Sequence, residues 1–225
     1  MLFARAAFAV AAQGIVAAIF ALQGSSSPWK ASEAWLPVYG TLIDAGCLAM
    51  IWRLTRGEGT GLFALVGFDR ARLSRDVLLG LALIPASLAF IFGGVYAAGW
   101  IVYGTLTPPL VFGDLPWPAV AYGLLVWPFI WGLTEQMTYN GYLLPRFQVL
   151  CRSTSASIAI VGFAWALQHS FMPFTFDGKF MTYRLLAAVP NTVFQTVLYL
   201  RLRRIIPFAI AHSLMDAATV LLPLL

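Results

Sequence analysis

The chain has 225 residues, of which 60% are hydrophobic and only 10% charged, with a mean hydropathy of +0.82. A soluble domain of this length carries about 25% charged residues, so these figures exclude an ordinary soluble enzyme and describe an integral membrane protein. The net charge of +5 therefore reads as membrane topology rather than as affinity for nucleic acid.

A hydrocarbon core of about 30 Å takes about 20 apolar residues per helix, so the chain holds six to eight spans in one small all-α polytopic bundle. Seven apolar segments can be delimited, bounded by charges, prolines or Gly/Ser clusters. The first, Leu2–Gln23, resembles a signal peptide with Arg5 in its basic region, but its apolar run is too long and Gln13 interrupts it. It is read as a retained helix. Trp35–Leu54 follows after the Ser/Pro-rich "GSSSPWK". It contains Asp44, whose polar-capable neighbours in helical register are Tyr39 and Trp52, and which is read as structural. The connection "GTGLFALVGFDRARLSRDV" is basic and amphipathic, as expected of a segment lying along the membrane interface. Val77–Tyr103 is the third segment, and "TLTPPLVFGDLPWP" the clearest loop after it.

The fourth segment begins at Pro118. Run on to Leu150 as one helix it would be about 50 Å long, so it must tilt and protrude or break near Gly141 and Pro145. Ser155–Phe174, Leu185–Leu202 and Ile205–Leu225 complete the set. Cys47 and Cys151 are too few and too apolar in context for a disulfide framework or a metal knuckle. Eleven of the fourteen basic residues fall on alternate connections: Arg5, the Arg53–Arg75 loop, Arg146 and Arg152, and "RLRR". Positive-inside orientation then places the N-terminus in the cytosol of what reads as a bacterial plasma membrane, and the C-terminus outside.

Five ionisable residues interrupt the apolar segments: Asp44, Glu135, His169, His212 and Asp216, which include both histidines of the chain. A charge at the bilayer centre costs at least about 2.5–3.5 kcal/mol, so each needs a partner or a wet cavity. His212 and Asp216 stand four apart on one helix face, where the carboxylate can fix the imidazole tautomer. Trp165 stands one turn before His169. Glu135, from a third segment, is a usable general base. A single intramembrane histidine is as often an interhelical hydrogen-bonding group, worth about 0.6–2 kcal/mol. Four convergent groups favour a catalytic or ion-handling site.

The order of these residues resembles the CPBP family, the CAAX protease and bacteriocin-processing (Abi) intramembrane proteases. The family pattern is Glu-Glu-x-x-x-Arg, then Phe-x-x-x-His, then His-x-x-x-Asn or Asp. Here the motifs read "EQMTYNG", "WALQH" and "HSLMD", and "NGYLLPRF" resembles the continuation of the first. The likeness covers residues 118–225 of a single membrane domain. It implies peptide-bond hydrolysis, with Glu135, His169, His212 and Asp216 at the matching positions. Gln136 and Asn140 replace the second Glu and the Arg. Being four apart, they can hydrogen-bond across one turn as a supporting pair, with Trp165 as a further supporting wall.

The expected mechanism has Glu135 and His169 share a water, while His212, oriented by Asp216, stabilises the oxyanion. Family members have been described both as glutamate proteases and as metalloproteases. A cofactor-free site is favoured here, the alternative being Zn2+ held by His169, His212 and Asp216. The partners implied are the bilayer and a membrane-associated peptide or protein. Two other classes stay open: a non-enzymatic relative acting by binding, as in bacteriocin immunity or a membrane scaffold, and a proton-coupled carrier.

Overall fold

The computed structural model describes residues 1–106 and 115–221. Most of the loop "TLTPPLVFGDLPWP" and the last four residues of the Ile205–Leu225 segment lie outside the described residues. Every regular element described is helical. The protein is an all-α membrane helix bundle.

Each of the seven apolar segments yields a principal helix. These are α1 (Ala4–Leu22), α3 (Leu36–Gly57), α5 (Leu73–Tyr103), a bent central rod, α9 (Thr154–Gln168), α10 (Gly178–Leu202) and α11 (Ile205–Leu221). Short helices α2 (Pro28–Glu33) and α4 (Leu62–Val66) lie in connections. Among the described residues, three helical stretches can cross a membrane by length and apolarity, Ala4–Leu22, Leu62–Tyr103 and Gly178–Leu202, or four when the bent rod counts as one. The α9 and α11 helices are apolar but shorter.

The central rod consists of α6 (Trp117–Leu125), α7 (Trp127–Gln136), a π-helical segment (Met137–Leu143) and α8 (Leu144–Cys151). It bends by 43°, and the bend falls between α6 and α7 rather than near Gly141 and Pro145. Pro128 explains this, because its ring displaces the preceding carbonyl and it lacks the N–H that would continue the α6 ladder. Pro145 breaks nothing. The π turn ending just before it widens the helix and accommodates its ring. Residues 134–144 are all buried, which makes this stretch the axis of the bundle.

Small residues set the approach of the neighbouring helices, as in other membrane bundles. A Cβ on Gly132 of α7 would meet Ser213 Oγ of α11 at 2.8 Å. Gly94 of α5 packs directly on the Ala187 carbonyl of α10. The Gly132 contact matters most, since it draws together the turns that carry Glu135 and His212.

Two boundaries differ from the sequence reading. The fifth segment leaves the helix after Gln168, and residues 169–174 form an irregular turn containing Pro173. By contrast, α10 begins seven residues before Leu185, because Asp177 accepts from the amides of Lys179 and Phe180 and caps it.

Candidate active site

Glu135 lies on the last turn of α7 and is fully buried. Its Oε1 accepts from Trp165 Nε1 at 2.5 Å and from the Gln168 amide. Both donors sit on the final turn of α9, which stops there and leaves them aimed at the axis. Oε2 has no hydrogen-bond partner and faces His212 Nε2 at 3.2 Å. One carboxylate oxygen is therefore anchored and the other is directed into the site.

Gln168 connects this carboxylate to a cation. Its Oε1 accepts from Arg5 Nε at 2.9 Å and from the Tyr139 hydroxyl at 3.1 Å. Arg5 Nη1 pairs with Asp44 Oδ1 at 2.8 Å, and the guanidinium lies 4.3 Å over the Trp131 ring. Arg5 and Asp44 are both fully buried. This corrects two readings from sequence. Arg5 is an interior cation rather than a topology marker, and the partner of Asp44 is Arg5 rather than Tyr39 or Trp52. The reason is that α1 packs along α3, and a buried carboxylate needs a counter-charge that neither tyrosine nor tryptophan supplies.

His212 on α11 is held from both sides. Its Nε2 faces Glu135 Oε2 and lies 3.5 Å from Asp216 Oδ2. Its Nδ1 is 3.3 Å from Gln136 Nε2. Asp216 thus approaches the same nitrogen as Glu135 instead of bracing the ring from behind, and the bracing contact falls to Gln136. The Gln136–Asn140 pair expected from spacing is present, with Asn140 Nδ2 donating to Gln136 Oε1 at 2.7 Å. Gln136 does not belong to a separate face, however. The His212 ring is wide enough to span the roughly 100° between consecutive helix positions, so Glu135 and Gln136 each meet one of its nitrogens.

His169 follows the last residue of α9. Its Nδ1 lies 3.0 Å from the Trp165 carbonyl, which only accepts, so Nδ1 carries the hydrogen and Nε2 keeps a lone pair. The His169 carbonyl accepts from Arg184 Nε at 3.3 Å and the Met172 carbonyl from Arg184 Nη2 at 3.0 Å, which pins the turn after α9. His169 is within electrostatic range of Glu135 but makes no direct hydrogen bond to it. Among the described residues no three of the His, Cys, Asp and Glu side chains are grouped to hold a metal ion. The set His169, His212 and Asp216 does not fit one as it stands.

Arg5, Gln168 and Gln195, which accepts from Gln136 Nε2 at 2.5 Å, were not singled out as site residues by sequence reasoning. The signal available was polarity alone, since Gln168 and Gln195 interrupt apolar runs just as the ionisable groups do. A groove of about 680 Å³ lined by Trp29, Lys30, Glu33 and Phe176 lies between two connections and touches none of the residues above.

Residues 116–218 match the family model described as Rce1-like, type II CAAX prenyl endopeptidase. The matched segment, just under half of the chain, carries α6 to α11 and all three motifs. The match is to the CPBP family, whose model is that of an intramembrane CAAX-type protease. Searches of curated proteins and of solved structures each found no match.

Proposed function

We propose that this CPBP-family chain is an intramembrane endopeptidase that hydrolyses a peptide bond of a membrane-associated protein or peptide. The observation that carries this reading is the asymmetry of Glu135. Two donors saturate Oε1, while Oε2 is buried without a hydrogen bond and faces the site. A general base needs one oxygen directed at the reacting groups, and Oε2 is the one that faces His212.

A water held between Glu135 Oε2 and the Nε2 lone pair of His169 attacks the scissile carbonyl carbon. As the C–O bond forms, the water proton passes to Glu135 Oε2. The carbonyl oxygen becomes an oxyanion and accepts from His212 Nε2–H. Collapse breaks the C–N bond, and Glu135 returns the proton to the departing amine. Asp216, whose Oδ2 lies 3.5 Å from the same nitrogen, helps hold the His212 ring facing the site. The sequence needs no metal ion.

The description of the matched family names prenylated CAAX substrates, which makes a farnesylated CAAX peptide the first probe. Reconstituted protein is incubated with this peptide and its unprenylated counterpart, and the products are read by mass spectrometry with and without a strong chelator. Glu135→Gln should lower the cleavage rate by about 100-fold or more at unchanged yield, because removing a general base costs about 10²–10⁴. Cleavage by Glu135→Gln at the wild-type rate overturns the assignment. Absence of cleavage by wild type on both peptides and on native membrane extracts favours the binding-only alternative.

A further inference from the structure

We propose that Gln136 is a positioning residue that sets the tautomer of His212, keeping hydrogen on Nε2 and a bare lone pair on Nδ1. The inference stands on a buried chain of amides. Asn140 Nδ2 donates to Gln136 Oε1 at 2.7 Å, so the Gln136 oxygen is occupied and its NH2 group points the other way. That NH2 group carries two hydrogens and has two acceptors, Gln195 Oε1 at 2.5 Å and His212 Nδ1 at 3.3 Å. An amide N–H pointing at Nδ1 requires a lone pair there, and the neutral ring then has its hydrogen on Nε2.

The reversed chain, with every amide turned over, would put the NH2 group of Asn140 where its Oδ1 now stands. That oxygen is buried without a hydrogen-bond partner. Buried unpaired N–H groups are rarer than under-satisfied carbonyls, so the observed orientation is the lower in energy. Gln136, Asn140 and Gln195 are all essentially fully buried, leaving no solvent to substitute for a missing partner.

This places opposite tautomers in one site. His169 has hydrogen on Nδ1 and His212 on Nε2. One ring offers a lone pair to water and the other offers a donor toward Glu135 Oε2 and Asp216 Oδ2. A carboxylate at position 136 would reverse this for His212. It only accepts, so it would draw hydrogen to Nδ1 and either strip Nε2 or leave the ring doubly protonated. The tautomer itself is independent of the proposed hydrolysis; only its use as an oxyanion donor rests on that reading.

The test uses the full chain in lipid nanodiscs with ¹⁵N-labelled histidine. With two histidines there are four ring nitrogens, and His169→Gln assigns them by removing one pair. At neutral pH, wild type should show His212 with Nε2 protonated and Nδ1 bare, and His169 the reverse. In Gln136→Glu the bare Nδ1 signal of His212 should vanish, while the His169 pair stays in place. A wild-type His212 with hydrogen on Nδ1, or on both nitrogens, overturns the proposal, as does an unchanged His212 pattern in Gln136→Glu. Should that variant not fold, the wild-type spectrum alone decides. No substrate is used, so loss of this inference leaves the protease reading in place, and a failed cleavage assay leaves the tautomer measurable.

Discussion

Removing one member of the Arg5–Asp44 pair should destabilise the bundle far more than removing both. Each side chain is fully buried, the contact is 2.8 Å, and the residues join α1 to α3. Asp44→Asn strands a guanidinium, and Arg5→Met strands a carboxylate; breaking a buried pair from either side costs about 3–5 kcal/mol. For a chain of this length that corresponds to a fall in Tm of roughly 6–20 °C. The double variant Arg5→Met with Asp44→Leu buries no charge and loses chiefly the hydrogen bond from Arg5 Nε to Gln168, about 1.5–3 kcal/mol. The two single losses sum to about 6–10 kcal/mol, so the coupling recovered in the double should reach about 3 kcal/mol or more. Thermal unfolding of the four proteins in one detergent, followed by tryptophan fluorescence, measures the cycle. Additive losses, or singles each within about 1 kcal/mol of wild type, would refute the ion-pair account. Cleavage by the double variant gives a second reading. Stability should return but the rate should not, because Gln168 then holds Glu135 without a cation behind it.

Glu58, at the end of α3, accepts from Arg146 and from the Tyr142 hydroxyl, and the Arg146 hydrogen bonds hold its carboxyl below the ordinary value of 4.5. A lowered carboxylate adds stability that is fully present above the unfolded value and is lost as pH falls through the folded one. Thermal midpoints of wild type should therefore decline faster below pH 4.5 than those of Glu58→Gln, and parallel curves would sink the idea. The basic connections should face the cytosol. In a background lacking Cys151, a cysteine placed at Arg70 should resist an impermeant maleimide in intact cells and react in inverted vesicles, while one at Lys179 should do the opposite.

The helical bundle was legible because apolar runs broken by charge and proline are what a bilayer selects, and each of the seven runs became a helix. Glu135, His169, His212 and Asp216 stood out for the complementary reason, as polar groups where lipid tolerates few. What escaped notice follows one physical rule. A position near a helix end looks solvated, so Arg5 passed for a topology signal although α1 carries it into the interior. Neutral amides cost less than charges in an apolar run, so Gln168 and Gln195 drew no attention although they hold Glu135 and Gln136. Periodicity places Glu135 and Gln136 on different faces, but it carries no information on the width of the ring that meets both. The bend falls at Val126 because Pro128 interrupts the helix there, while the π turn relieves the neighbourhood of Gly141 and Pro145.

The order of synthesis bears on the central rod. Arg5 and Asp44 are both made before the rod exists, so α1 and α3 neutralise one another as they leave the translocon. Glu135, Gln136 and Asn140 emerge next, and the residues that satisfy them lie on later helices: Trp165 and Gln168 on α9, Gln195 on α10 and His212 on α11. A nascent chain halted before residue 154 would hold a carboxylate and two amides in hydrocarbon with only the Gln136–Asn140 bond between them, each exposed polar group costing several kcal/mol. Such a chain is a natural client for membrane quality control. The helices α9, α10 and α11 thereby act as a proofreading step, since the polar groups of the rod find their partners only once all three have joined the bundle.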